Sequence, residues 1–170
     1  MTLAEIQLLD AGSWFSSTFI SESVPTMSEA INACLAHNIV PLVEHKAGAA
    51  SDYHDEFAAL GITSDQFRVI SFDWNFLDAL DALNPDYRLG ALGGGAITQS
   101  VIDNLKSKGV DFLDWSDSNI DQDAVDLVHA NGMELHVYTV NNADRMQALI
   151  DYKVDGITTD NPAMLRSLLP

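Results

Sequence analysis

Short apolar runs alternate with amphipathic stretches along the whole chain. The runs predict six β-strands, which begin near residues 40, 69, 88, 110, 135 and 154. Runs that are apolar throughout are typical of strands buried on both faces of a parallel sheet. Stretches with helical spacing follow each run, and this repeat of strand and helix predicts the α/β class.

Helix starts are marked by capping sequences. Thr2 with Glu5, and Thr26 with Glu29, have the spacing of a capping box, in which the two side chains satisfy each other's backbone amides. The segment Ala11–Phe19 places three aromatic residues among small polar ones. We expect it to be a loop that is held onto the body of the domain and not a flexible linker.

The alternation alone fits either a doubly wound open sheet or a closed barrel. Polar or aromatic residues stand at the end of nearly every predicted strand: Glu44 and Lys46, Phe72 and Asp73, Trp115, Thr139 and Asn141, and Thr159 and Asp160. A barrel gathers the carboxyl ends of all its strands around one mouth, whereas an open sheet spreads them. The strand ends therefore favour a barrel.

The stretch Ile39–Lys46 carries the first candidate chemistry. Side chains alternate along a strand, so Glu44 and Lys46 share one face and His45 points to the other. Catalytic groups of (β/α) barrels are mounted where a strand ends in this way. The spacing alone fits a structural ion pair equally well.

Composition narrows the range of partners. The 170 residues include 8 basic and 25 acidic side chains, a net charge of −17, which argues against binding to nucleic acid or an anionic membrane. The charge favours cations, although a solvated surface explains it too. The single cysteine, Cys34, excludes an internal disulfide and a multi-cysteine zinc site. No apolar run is long enough to span a bilayer, so we expect a soluble chain without membrane insertion.

Seven segments, taken in order, carry a likeness to a known family: Leu9–Phe15, Val24–Ala30, Val43–Lys46, Ile70–Asp73, Ala130–Met133, Val137–Asn141 and Val154–Pro162. Together they resemble the glycerophosphodiester phosphodiesterase family over nearly the whole chain. The resemblance implies an eight-stranded (β/α) TIM barrel that hydrolyses glycerophosphodiesters to glycerol 3-phosphate and an alcohol, with Mg²⁺ or Ca²⁺ as cofactor.

The resemblance also implies roles for four residues. Glu44 would be a metal ligand and Lys46 a contact to the substrate phosphate, while Phe72 and Tyr138 would line the mouth and bind substrate. A hard divalent cation prefers carboxylate oxygens, and an ammonium group neutralises charge on phosphoryl oxygens, so the residue types suit these roles. Tyr138 stands where the family more often has tryptophan.

Four motifs of the family are missing from the sequence. The family begins with a strand ending in His-Arg-Gly, followed by Glu-Asn-Thr, a second strand with Glu and Asp, and a His-Asp pair; its two histidines act as acid and base. The pair His54-Asp55 repeats two of these letters but lies in a helical stretch after the Glu-His-Lys strand. We therefore assign no catalytic residue.

The missing motifs predict a single truncated barrel domain over residues 1–170, without the first two βα units and with six strands. Thr2-Leu3-Ala4-Glu5-Ile6, directly after Met1, resembles a segment well inside the family domain. An N-terminal signal would then lie in the missing part. We expect the chain alone to have little or no hydrolytic activity.

Two other functions remain open. In the first alternative, the chain is a non-catalytic remnant. It would act as a binding module or form homo-oligomers through the open edges of its Ile39 and Val154 strands. The other alternative is a different barrel phosphodiesterase or lipase of the same superfamily.

Overall fold

The computed structural model describes residues 1–169, in two compact units that meet in sequence between Pro41 and Leu42. The second unit holds one sheet of six parallel strands in chain order. The strands are β1 (Leu42–Glu44), β2 (Arg68–Ser71), β3 (Leu89–Gly93), β4 (Phe112–Ser116), β5 (Glu134–Tyr138) and β6 (Gly156–Ile157).

Helices alternate with these strands as the sequence predicts. The first unit contains α1 (Leu3–Ile6) and α2 (Met27–Ala36), and the second contains α3 (Ala50–Leu60), α4 (Trp74–Leu83), α5 (Gln99–Lys106), α6 (Gln122–Ala130), α7 (Ala143–Tyr152) and α8 (Pro162–Leu168). Both predicted capping boxes are present, Thr2 with Glu5 and Thr26 with Glu29. Within residues 1–169, no helix has the length and apolar character needed to cross a membrane.

The sheet is curled rather than flat. The rings of Phe72, just after β2, and Tyr138, at the end of β5, lie 6.3 Å apart edge to face. In a flat sheet three strand spacings would separate these strands by about 14 Å. The Tyr138 hydroxyl also reaches past β4 to donate a hydrogen bond of 2.8 Å to the carbonyl of Gly93. The predicted class, an α/β barrel fold with six of its strands, is confirmed.

Residues on both faces of the central strands are buried. Phe112 and Leu113 are adjacent in β4 and fully buried, although they point to opposite faces of the sheet. One face packs against helices, and the other forms the concave inner surface with Ile70, Leu92 and Phe112 as its apolar core. Burial on both faces explains why the strand sequences are nearly continuous apolar runs.

The two outermost strands are shorter than predicted. The predicted strand Ile39–Lys46 is paired only over Leu42–Glu44, and the run from Val154 is paired only at Gly156–Ile157. Glu44 is therefore the last residue of β1, and Lys46 lies beyond the strand. Edge strands have one neighbour in the sheet, so ladder hydrogen bonds hold them over less of their length.

Asp10 organises a loop in the first unit. Its carboxylate accepts hydrogen bonds from the backbone amides of Gly12, Ser13 and Ser21, at 2.9, 2.8 and 3.0 Å. These bonds, led by that from Ser21, lower the pKa of Asp10 to about 2. Backbone hydrogen bonds to Asp10 hold the loop that follows, in which Trp14 is 81% exposed.

Candidate functional site

A cavity of about 230 Å³ opens on the concave face, at the carboxyl ends of the strands. Its lining combines apolar side chains with two carboxylates and three hydroxyl groups: Leu42, Glu44, Ile70, Phe72, Leu92, Asp114, Tyr138, Thr139 and Thr158. Every one of these residues belongs to a strand or directly follows one. In barrel enzymes this end of the strands carries the chemistry.

Glu44 and Lys46 are brought together at this edge. The Lys46 ammonium donates a short hydrogen bond to Glu44 Oε1, and the Lys46 side chain is 74% exposed. Glu44 lines the cavity, while Lys46 extends from the rim. An exposed ion pair adds only about 0–1 kcal/mol to stability, so stabilisation of the fold gives little reason for this one.

His45, between them, points the other way, as the alternation predicts. Its ring stacks on Phe76 of α4 with 3.6 Å between ring centroids, and Nδ1 lies 3.1 Å from the Ser71 hydroxyl oxygen. This packing against the helix layer fixes the orientation of the strand end. As a result, Glu44 is turned towards the concave side.

Phe72 and Tyr138 form one wall of the cavity. Their rings meet edge to face, and Phe72 remains 58% exposed. The Tyr138 hydroxyl is held by Gly93, so the ring is fixed. Burial raises the pKa of Tyr138, and the nearby charges of Asp114 and Glu44 raise this pKa further.

The sequence prediction missed Asp114, which the structure places in the same cavity. Asp114 lies in β4, between Leu92 of β3 and His136 of β5. It is only 2% exposed, and its Oδ1 atom has no hydrogen-bond partner among residues 1–169. Burial raises the pKa of Asp114 to about 6, and the negative charge of Glu44 adds to this shift.

A signal for Asp114 is present in the sequence. The run Val110–Trp115 is apolar except for two aspartates, and alternation puts Phe112 and Asp114 on one face. A carboxylate on the inner face of a buried strand is costly unless it is paired or serves a ligand. Attention to strand ends alone led the prediction to Trp115, which is 2% exposed and donates from Nε1 to the Gly95 carbonyl.

Glu44 and Asp114 are the two carboxylates available to a cation here. Within residues 1–169, no three His, Cys, Asp or Glu side chains come close enough to hold a metal ion together. Mg²⁺ retains several waters and is commonly bound through one or two carboxylates together with substrate phosphates. Glu44, together with water and substrate phosphate oxygens, therefore fits a partly hydrated divalent cation.

The histidines of the described residues have other partners. His54 lies 2.9 Å from the Tyr87 hydroxyl, and His129 lies 2.8 Å from Asp155. His136 is the neighbour of Asp114 in β5, its Nε2 atom lies 3.6 Å from Glu134 Oε2, and burial lowers the pKa of His136. No histidine of residues 1–169 lines the cavity.

The glycine run after β3 is a tight turn against Trp115. A Cβ on Gly93 would lie 2.2 Å from the Trp115 ring, and Gly95 has a positive φ of +81°. The close packing accounts for glycine at position 93, and the turn accounts for glycine at position 95.

The amino-terminal ends of the strands also carry charged side chains, but these form ion pairs. Arg88 bonds Asp111 at 3.1 Å and Glu134 at 2.8 Å, beside a depression of about 430 Å³. Burial raises the pKa of Asp111, opposed by its hydrogen bond from Leu89 and by Arg88. This network ties β3, β4 and β5 together at the amino-terminal end of the strands, where barrels carry stabilising contacts.

Sequence comparison identifies relatives along the whole chain. The sequence profile of the Glycerophosphoryl diester phosphodiesterase family matches residues 1–164. A glycerophosphodiester phosphodiesterase from Bacillus subtilis is 29% identical over 192 residues, covering 98% of this chain and 64% of the relative. One from Caldanaerobacter subterraneus is 27% identical, covering 99% of this chain and 71% of the relative. The chain thus spans about two thirds of the length of these relatives.

Solved structures share the fold. An Oleispira antarctica phosphodiesterase, determined in complex with the product sn-glycerol-3-phosphate, has a TM-score of 0.82 and 24% identity, with 99% of this chain and 70% of that one covered. A glycerophosphodiester phosphodiesterase from Parabacteroides distasonis has the same TM-score and identity, with 98% and 70% covered. At this identity the likeness establishes the fold.

Proposed function

Since this chain belongs to the glycerophosphoryl diester phosphodiesterase family, we propose that it forms part of an enzyme that hydrolyses glycerophosphodiesters. The products are sn-glycerol 3-phosphate and an alcohol. In this proposal Glu44 is a ligand of a divalent cation, Mg²⁺ or Ca²⁺, and Lys46 contacts the substrate phosphate. Phe72 and Tyr138 form the wall against which the substrate lies.

One observation carries the proposal, namely the pairing of Glu44 and Lys46 beside the cavity. A phosphodiester is anionic, and its binding needs positive charge at the rim and a cation to offset the carboxylates. The Lys46 side chain is exposed and flexible, so its ammonium can turn from Glu44 to a phosphate oxygen. Glu44 is then free to bind a metal ion through the same oxygen that now accepts from Lys46.

Each residue has a separate task in this arrangement. When bound, the cation neutralises charge that develops on the phosphoryl oxygens. The Lys46 ammonium does the same from the rim, and the fixed Tyr138 ring limits how the ester enters. The apolar side chains Ile70 and Leu92 exclude water from the floor of the cavity.

The acid and base of the reaction are not assigned within this chain. The sequence contains no His-Arg-Gly motif, and the histidines of residues 1–169 lie outside the cavity lining. We therefore propose that the 170-residue chain alone has little or no hydrolytic activity. Metal-dependent release of glycerol 3-phosphate from glycerophosphocholine by the pure chain would contradict this part of the proposal.

Calorimetric titration tests the binding roles. The chain is titrated with CaCl₂, MgCl₂ and then sn-glycerol 3-phosphate. Glu44→Gln should weaken cation binding roughly tenfold or more, because the amide replaces a charged donor. Lys46→Met should weaken glycerol 3-phosphate binding about tenfold, as expected for loss of a charge-assisted hydrogen bond.

Two exposed positions provide matched controls. Glu22→Gln and Lys153→Met make the same chemical changes at surface sites outside the cavity lining, and both should leave the affinities unchanged. Absence of both cation and glycerol 3-phosphate binding in the unmodified chain would overturn the proposed function.

A second candidate function rests on the sheet edges. β1 pairs only with β2 in the sheet, and β6 only with β5. We propose, as the alternative, that these edges bind another copy of the chain without catalysis. The edges are only three and two residues long, which limits the pairing they offer. Light scattering separates the cases: a strictly monomeric chain at high concentration excludes edge-to-edge assembly.

A further inference from the structure

The structure contains one buried carboxyl group without a complete set of partners. Among residues 1–169, Ser71 and Asp114 are the buried polar side chains. The Ser71 hydroxyl is satisfied, since it accepts from the backbone amide of Asp73 and lies beside His45. Asp114 Oδ1 is fully shielded from solvent and receives no hydrogen bond from the described part of the chain.

A buried polar atom without a partner destabilises the fold. A buried polar group without a partner costs about 1–3 kcal/mol, and more when it is charged. Native proteins rarely retain one, and a catalytic or ligand-binding role is one reason for them to do so. Tyr138 of the same cavity does not serve as the donor, because its hydroxyl donates to the carbonyl of Gly93. A ligand that enters the cavity can supply the missing donor.

The cavity limits what that ligand can be. Two carboxylates, Glu44 and Asp114, repel the anionic phosphate from the floor of the cavity. The lining beside Asp114 is apolar, with Leu92 of β3 next to it in the sheet and Ile70 of β2 beyond. The volume of about 230 Å³ leaves room for several waters or for one small organic group. A small, neutral group with hydroxyl donors fits this space.

We propose that Asp114 is the hydroxyl-binding residue that selects the glycerol moiety of the substrate. The Asp114 side chain lines the cavity, and a turn of its carboxyl group about the Cβ–Cγ bond lets one of its oxygens accept a hydrogen bond from a glycerol hydroxyl, while the carbon chain packs on Ile70 and Leu92. The phosphate then lies outward, towards Lys46. This inference rests on the proposed function and adds a specificity residue to the same site.

A cycle of ligands and variants tests the inference. Binding of sn-glycerol 3-phosphate and of n-propyl phosphate, which has no hydroxyl group on its carbon chain, is measured for the unmodified chain and for Asp114→Leu. The unmodified chain should prefer glycerol 3-phosphate by about tenfold, because a site built for a hydroxyl rejects an analogue without it. Asp114→Leu should bind both esters equally, since it offers no acceptor.

Two further variants keep the test clear if Asp114→Leu does not fold. Asp114→Asn has the same shape and one acceptor oxygen, and should reduce the preference to about threefold. Asp86→Asn makes the same change at an exposed position and should keep the full preference. A preference that is unchanged in Asp114→Asn and in a folded Asp114→Leu overturns the inference.

Other outcomes separate the inference from the proposed function. If both esters bind equally to the unmodified chain, the phosphate site stands and the role of Asp114 falls. If neither ester binds, NMR titration with glycerol decides. Shifts in amides of β4 that weaken in Asp114→Asn support the inference without the phosphate site, and no shifts refute both. Loss of Ca²⁺ binding in Asp114→Asn to the extent seen in Glu44→Gln would make Asp114 a metal ligand and overturn the inference.

Discussion

Asp114 has a proposed role in binding, and its burial lowers the stability of the fold. Its pKa is raised from 3.8 to about 6 by burial and by Glu44. A raised carboxyl pKa means that the folded chain holds the proton more tightly than the unfolded chain. Asp114 therefore does not destabilise the fold below about pH 4, where the carboxyl group is protonated. The destabilisation by its buried charge grows as the pH rises to 6.

Replacing Asp114 should stabilise the metal-free chain at high pH. A shift of this size corresponds to about 3 kcal/mol at 1.36 kcal/mol per pKa unit. We expect Asp114→Asn to raise the free energy of unfolding by about 1–3 kcal/mol at pH 8 relative to its effect at pH 4. Urea unfolding of the unmodified chain and of Asp114→Asn, both in EDTA, measures the difference. An equal loss of stability at both pH values would show that the carboxyl group supports the fold.

The pKa of Asp10 is shifted in the opposite direction to that of Asp114. Backbone hydrogen bonds lower its pKa to about 2, so its contribution is present above pH 3.8 and is lost as the pH falls towards 2. In Asp10→Ala we expect the amides of Gly12, Ser13 and Ser21 to exchange with solvent at least about tenfold faster at neutral pH. Hydrogen exchange by NMR measures this effect, with Asp86→Ala as control. Unchanged exchange rates would contradict the assigned role.

At the level of single elements, alternation determines most of the site. The orientation of Glu44 and His45 follows from their positions in one strand, and the structure agrees with it. The lengths of β1 and β6 could not be predicted, because they depend on how many neighbours each strand finds in the sheet. Alternation could have placed Asp114 on the inner face of β4, but its meeting with Glu44 in one cavity depends on the curl that brings β1 and β4 together, which no local pattern encodes.

Gly90 shows how the curl constrains one strand. It lies in β3 between Ile70 of β2 and Phe112 of β4, and a Cβ there would be 2.3 Å from the Phe112 ring. We expect Gly90→Ala to destabilise the chain by about 1–3 kcal/mol through overpacking. Gly94→Ala, whose Cβ would meet only Ser116 at 3.3 Å, is the control. Chemical unfolding checks the pair, and equal stabilities would refute this packing argument.

For the whole molecule, charge is the dominant general property. A net charge of −17 on 170 residues destabilises the compact state through self-repulsion. We expect the thermal unfolding midpoint to rise between 20 and 200 mM NaCl, because salt shortens the Debye length from about 20 Å to about 7 Å. Scanning calorimetry at fixed pH measures the midpoint. A midpoint independent of salt would mean that paired charges, such as Arg88 with Asp111 and Glu134, already balance the repulsion.

Glu44, the residue on which the proposed chemistry most depends, ends a three-residue strand that the sheet supports from one side only. Such a margin opens more readily than the middle of a sheet. A ligand that binds Glu44 would therefore also stabilise β1 against local opening at the edge of the sheet. Ligand binding at Glu44 and the local folding of β1 would then be coupled, so that each favours the other.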